Sequence, residues 1–117
     1  MKRSEINAAI EHAKGLMVKY RISLPHFGYL TLDGWRRGGV DHSRIAETML
    51  GWDVTDFGSG DFARVGATLF TLRNGVVDKP GVGTPYAEKY IIMGGGGQEI
   101  PFHYHVKKTE DIINRAG

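Results

Sequence analysis

None of the chain's 117 residues is cysteine. That removes disulfide staples and thiol chemistry, and leaves imidazole and carboxylate as the donors for any metal. No apolar run of membrane length is present. The basic residues Lys2 and Arg3 are followed by Ser4-Glu5-Ile6-Asn7, not by the apolar core of a leader, so a soluble, cytoplasmic protein is expected. A basic face is missing too. Fifteen Lys and Arg stand against thirteen Asp and Glu, for a formal charge of +2. The basic residues are dispersed apart from pairs such as Arg36-Arg37 and Lys107-Lys108, which argues against a nucleic-acid partner. No repeat or linker divides the chain. Its 41% hydrophobic and 24% charged residues are ordinary for one folded domain with a core.

The N-terminal third reads as helical. Ser4 is the expected N-cap of an amphipathic helix of about four turns. Ile6, Ala9, Ile10, Ala13, Met17 and Tyr20 recur along it at spacings of three and four, with charged residues on the other faces. Leu24-Pro25 ends the helix, because a residue before proline avoids the helical region. His26 to Leu32 reads as extended. Gly34, Gly38 and Gly39 break the chain, and Asp41 or Ser43 caps a short peripheral helix through Ile45, Met49 and Leu50.

The rest reads as strands and turns. Gly51 to Asp61 is turn-rich, its three acids suited to capping backbone groups or holding a cation, with the turn favoured by composition. Phe62 to Arg73 is rich in β-branched and aromatic residues and ends at Asn74-Gly75, a hairpin signal that leads weakly into Val76-Val77. After a rigid loop over 79–85, Glu88 to Met93 is the next strand. The glycine run Gly94 to Gly97 reads as a tight turn. It lacks the Lys-Ser/Thr and the following helix that a phosphate cradle needs. Helices followed by antiparallel strands suit a small β-barrel with helices packed outside.

The most informative segment is the last. If Pro101 to Val106 is a strand, His103 and His105 share one face and Tyr104 takes the other. A short turn over Val106 to Thr109 then brings Glu110 back as a third, oxygen ligand. Such a nitrogen and oxygen donor set suits Mn, Fe, Co, Ni or Zn. The competing reading is a pair of hydrogen-bonded or exposed strand histidines, since His-x-His arises often by chance.

The order Gly97, five residues, His103, one residue, His105, four residues, Glu110, six residues, Gly117 resembles the first motif of the cupin superfamily. Beyond it, four stretches look like the N-terminal part of a D-lyxose ketol-isomerase: Asp53-Val-Thr-Asp-Phe-Gly-Ser-Gly-Asp-Phe62, Leu69-Phe-Thr-Leu-Arg-Asn-Gly75, Glu88-Lys-Tyr-Ile-Ile-Met93, and Gln98 through Asp111. The resemblance covers essentially the whole chain. It implies a mainly β, cupin-type antiparallel barrel, incomplete at the C-terminus, with residues 1–60 as a helical and loop extension and 61–117 as the first barrel strands. It also implies a homodimer and a divalent metal, commonly Mn2+, with Zn2+, Co2+ or Fe2+ as alternatives. The metal is held by His103, His105 and Glu110 as three of four ligands. The implied reaction interconverts D-lyxose with D-xylulose and D-mannose with D-fructose.

On the same resemblance, Lys89 places its ammonium near the sugar oxygens, against the alternative of a solvated lysine. Gln98 and Lys108 reach substrate hydroxyls or line an exposed rim. Moving a proton between C1 and C2 needs a base and an electrophile for the developing oxyanion. The family's base is a carboxylate from the C-terminal half. The chain departs from the full pattern, because the second motif, with Pro-x-Gly and a further His, is absent, and a fragment is expected. His26 and His42 are disfavoured as the fourth ligand. A non-catalytic cupin sugar-binding module and an Fe2+ oxygenase stand as the other readings.

Overall fold

The computed structural model describes residues 1–38 and 42–117. The expected break at Gly39 and cap at Asp41 lie outside the described residues. Helix α1 spans Arg3–Lys19 and buries Ala9, Ala13 and Met17, one residue per turn along a single stripe. Its N-cap is Lys2, two residues before the expected Ser4. The Glu5 carboxylate accepts from the Lys2 backbone N–H at 2.5 Å, the backward half of a capping box, and this satisfies an orphan donor one turn earlier.

The helix also ends before Pro25 acts. Arg21 takes φ 55°. The Arg21 N–H donates to Val18 O and the Ile22 N–H to Met17 O, at 3.1 and 2.9 Å. These are the two bonds of a Schellman stop, and the apolar contact of that motif is supplied by Ile22 and Met17, both at the core. Tyr20 is therefore past the buried stripe and exposed.

His26 to Leu32 is not extended. A 3-10 turn covers His26–Tyr29, and a one-turn helix α2 covers Leu32–Arg36. Gly34 does not break α2, because its N–H is capped by the Thr31 hydroxyl at 3.0 Å. Helix α3, Ser43–Glu47, follows with His42 as its N-cap residue.

Strands β1 (Gly51–Thr55), β2 (Ala67–Gly75) and β3 (Gly83–Ile92) form one antiparallel sheet in the order β1-β2-β3. The sheet thus begins inside the stretch expected to be a turn. Trp52 and Val54 alternate with Asp53, enough for a half-buried strand, and Trp52 pairs with Phe70. The expected hairpin at Asn74-Gly75 is displaced as well. β2 runs on through Gly75, which pairs with Gly83, and residues 76–82 make the connection in place of a second short strand. Gly75 is required there, since a Cβ would lie 2.1 Å from the Thr84 carbonyl oxygen. Asn74 instead donates its side-chain amide to Thr48 O at 3.0 Å, tying the sheet to the end of α3.

The core lies between α1 and the sheet. Phe70, fully buried, stacks on Phe27 and meets Trp52 edge-on, with ring centroids 5.5 and 4.9 Å apart. Ala13, Met17, Leu24 and Ile92 complete it. Burial of a side chain the size of Phe70 contributes about 1.5–3 kcal/mol. On β3, Tyr90 and Ile92 turn toward the core while Lys89 and Ile91 are exposed, as period two requires. A three-stranded antiparallel sheet with a few helices is compatible with part of a cupin-like domain, and the sheet is open and not closed into a barrel. Among the described residues no helix is long and apolar enough to cross a membrane.

Candidate metal centre

The polypeptide reaches the histidine segment from β3 through Gly94 to Gly97, where Gly95, Gly96 and Gly97 adopt φ of 78°, 63° and 86°. Glycine adopts these left-handed values without steric cost. Glu99 then forms a parallel bridge with Val65, after which residues 101–117 carry neither helix nor strand and are exposed throughout. The strand expected over Pro101 to Val106 is therefore absent. Among the described residues this segment pairs with neither edge strand of the sheet, and an extended segment without a ladder is solvated chain.

The side chains converge even so. A bend at Val106 and Lys107 returns Glu110 to the histidines, as the turn expected there required. One donor atom each from His103, His105 and Glu110 lies within 4.8 Å of the others. The imidazole rings of His103 and His105 meet edge to face with centroids 4.9 Å apart. His105 Nε2 lies 3.2 Å from Glu110 Oε2, and Lys108 Nζ donates to Glu110 Oε1, also at 3.2 Å. Hydrogen bonding and charge from Lys108, followed by the charge of His105, hold the Glu110 carboxyl below its ordinary value. At neutral pH it is an anion.

His103 Nδ1 lies 2.9 Å from the Pro101 carbonyl oxygen. A carbonyl only accepts, so Nδ1–H is the donor in this contact and Nε2 is the nitrogen that could face a metal. Two imidazole nitrogens and an ionised carboxylate oxygen match the donor chemistry of a divalent transition metal. With bonds of about 2.0–2.2 Å at tetrahedral angles, two donors on one ion lie about 3.3–3.6 Å apart. The three donor atoms, within 4.8 Å of one another, therefore fit a metal after the widest pair closes by up to roughly 1.5 Å, which an exposed segment accommodates.

The remaining expected residues fall elsewhere. Lys89 is exposed on β3 opposite Thr71, and among the described residues no hydrogen bond or ion pair joins it to the cluster. Lys108 is inside the cluster, on the Glu110 carboxylate. Gln98 is already engaged: its amide oxygen accepts from the Gly94 N–H at 2.6 Å and its amide nitrogen donates to Phe62 O at 2.5 Å. His26 lies in the 3-10 turn, and His42 stacks on Trp35 with centroids 4.3 Å apart, so neither joins the three donors. The sequence reading missed the clamp made by Gln98. Its only signal was a Gln placed directly after a glycine run.

An antiparallel sheet that leads, through a glycine turn, into two histidines and a glutamate makes a candidate mononuclear metal centre. The chain matches the family model described as D-lyxose isomerase over residues 1–117, and it belongs to that family. It is 41% identical over 123 residues to a D-lyxose/D-mannose isomerase of Serratia proteamaculans, covering all of this chain and 51% of that relative. It is 40% identical over 121 residues to a D-lyxose/D-mannose isomerase of Escherichia coli O157:H7, covering all of this chain and 52% of that one. The chain thus spans about half the length of the curated relatives it matches.

Proposed function

We propose that this chain carries the metal-binding segment of an aldose-ketose isomerase that interconverts D-lyxose with D-xylulose and D-mannose with D-fructose. The observation that supports this reading most directly is the convergence of His103, His105 and Glu110 within 4.8 Å in a member of the D-lyxose isomerase family. These three residues hold a divalent cation, Mn2+ in the first place, with Zn2+, Co2+ or Fe2+ as substitutes. When bound, the ion supplies a Lewis acid for the sugar oxygens at C1 and C2. Lys89 is the proposed catalytic cation, stabilising negative charge on the sugar as the proton moves between C2 and C1 through the enediol. With Glu110 committed to a bound metal, Lys108, which now donates to Glu110 Oε1, would be free to offer its ammonium to a substrate hydroxyl. Gln98 retains one amide N–H beyond its bond to Phe62 and faces the sugar with it. The base is a carboxylate outside this donor set, because Glu110 is committed to the metal. The working protein is a cytoplasmic homodimer with a closed cupin barrel, and a coverage of half the relatives' length supports a contribution from further chain.

Mn2+ titration of the purified chain, with D-lyxose added and D-xylulose assayed, tests this reading. Loss of bound metal, and of any ketose formation, is expected in His103→Ala, His105→Ala and Glu110→Ala. Full metal occupancy in His103→Ala would sink it. The solvent exposure of the whole donor segment favours one second reading, a cupin module that binds sugar without turnover. Sugar binding with no ketose formed at saturating Mn2+ would identify it.

A further inference from the structure

The contacts of Gln98 carry a role separate from substrate binding. Between the sheet and the donor residues, the chain is held at one place. Gly66 N–H donates to Glu99 O at 3.0 Å, Glu99 N–H donates to Arg64 O at 2.8 Å, and the Gln98 amide bridges Gly94 N and Phe62 O. From 101 onward the segment is exposed and has no ladder to the sheet. The three neighbouring glycines with positive φ add no side-chain contact. A loop of this composition has many conformations in competition with the observed one. One side-chain amide that accepts from the start of the loop and donates to the lead-in of β2 selects among them.

We propose that Gln98 is a positioning residue for the metal centre. Its amide fastens the glycine turn to the Phe62 carbonyl and so fixes where the chain bearing His103, His105 and Glu110 leaves the sheet. This rests on the metal-binding reading above. Gln98→Leu keeps a side chain of similar bulk and loses both bonds. Gln98→Glu keeps the acceptor for Gly94 N–H but sets a carboxylate against the Phe62 carbonyl oxygen, so it breaks the clamp on one side only.

The test is titration of the purified full chain with Co2+, followed by its visible absorption, together with thermal unfolding and amide hydrogen exchange at Gly94. A shell residue that orients metal ligands typically changes affinity by about 10–100-fold. Here the expected loss is about tenfold, the low end of that range, in Gln98→Leu. Gly94 exchange should be faster in Gln98→Leu and protected in Gln98→Glu, with the unfolding midpoint of the core retained. Co2+ affinity unchanged in both variants, with His105→Ala still abolishing binding, would overturn the role of Gln98 and leave the metal site standing. Absence of Co2+ binding in the unsubstituted chain would overturn the metal reading itself, and the positioning role with it.

Discussion

The two ends of the molecule are stabilised in opposite ways. Between α1 and the sheet, apolar side chains specify position: Phe70 is enclosed by Phe27 and Trp52, and Trp52 is fixed by its Nε1–H donating to Gly28 O at 2.9 Å. In the donor segment after Glu99 no side chain is buried. Its geometry comes from short-range polar contacts, namely His103 with Pro101, and Glu110 with His105 and Lys108. Packing of the first kind is worth kilocalories, whereas exposed ion pairs are worth a fraction of one. Fold stability and metal binding are thus separable here, and substitutions should divide cleanly between them.

The largest effect on folding is expected at Phe70. Phe70→Ala removes the centre of the core and should cost about 3–5 kcal/mol, read from urea unfolding. His105→Ala should stay within about 0.5 kcal/mol of the parent in the same experiment. Equal losses in the two variants would break the comparison. Gly28→Ala comes next. Its Cβ would stand 3.0 Å from the Phe70 ring and 3.2 Å from Leu24 Cβ, an overpacking expected to cost about 1–3 kcal/mol. A change in Trp52 fluorescence should accompany it, because the Gly28 carbonyl holds the indole.

The smallest effect sharpens the polar side. Glu110 has a lowered pKa, so the stabilisation from its contacts with Lys108 and His105 is present above the ordinary carboxylate range. It is lost as pH falls through the lowered folded-state value. Carbon-13 NMR titration of the metal-free chain should place the Glu110 midpoint below that of an ordinary glutamate. Lys108→Ala should move it upward, since Lys108 is the leading cause of the shift. An unmoved midpoint would show that another group holds the carboxylate.

How much of this was legible in the sequence depends on the range of the forces involved. The stripe of α1 was readable because helical period and burial coincide at Ala9, Ala13 and Met17. The alternation of β3 was readable for the same reason. The ends of elements were not. Arg21 at positive φ stopped α1 before Pro25 did, and Gly75 prolonged β2 by facing Gly83, and both depend on contacts that no local pattern records. β1 was hidden because Gly51, Asp53 and Asp56 carry turn composition, while the pairing of Trp52 with Phe70 is a long-range property. In the site, spacing was enough to bring His103, His105 and Glu110 together, although the strand assumed to do it is absent and a bend does it instead. The clamp of Gln98 joins residues 36 apart, out of reach of any motif.

Metal content of the purified chain, measured by elemental mass spectrometry beside the His103→Ala variant, tests the central claim most directly. The account predicts about one transition metal per chain, bound by deprotonated ligands as such sites require, and its loss in His103→Ala while the thermal unfolding midpoint stays where it was. A metal-free parent that remains so after Mn2+ or Co2+ is added, or a variant that keeps its full metal complement, would contradict it.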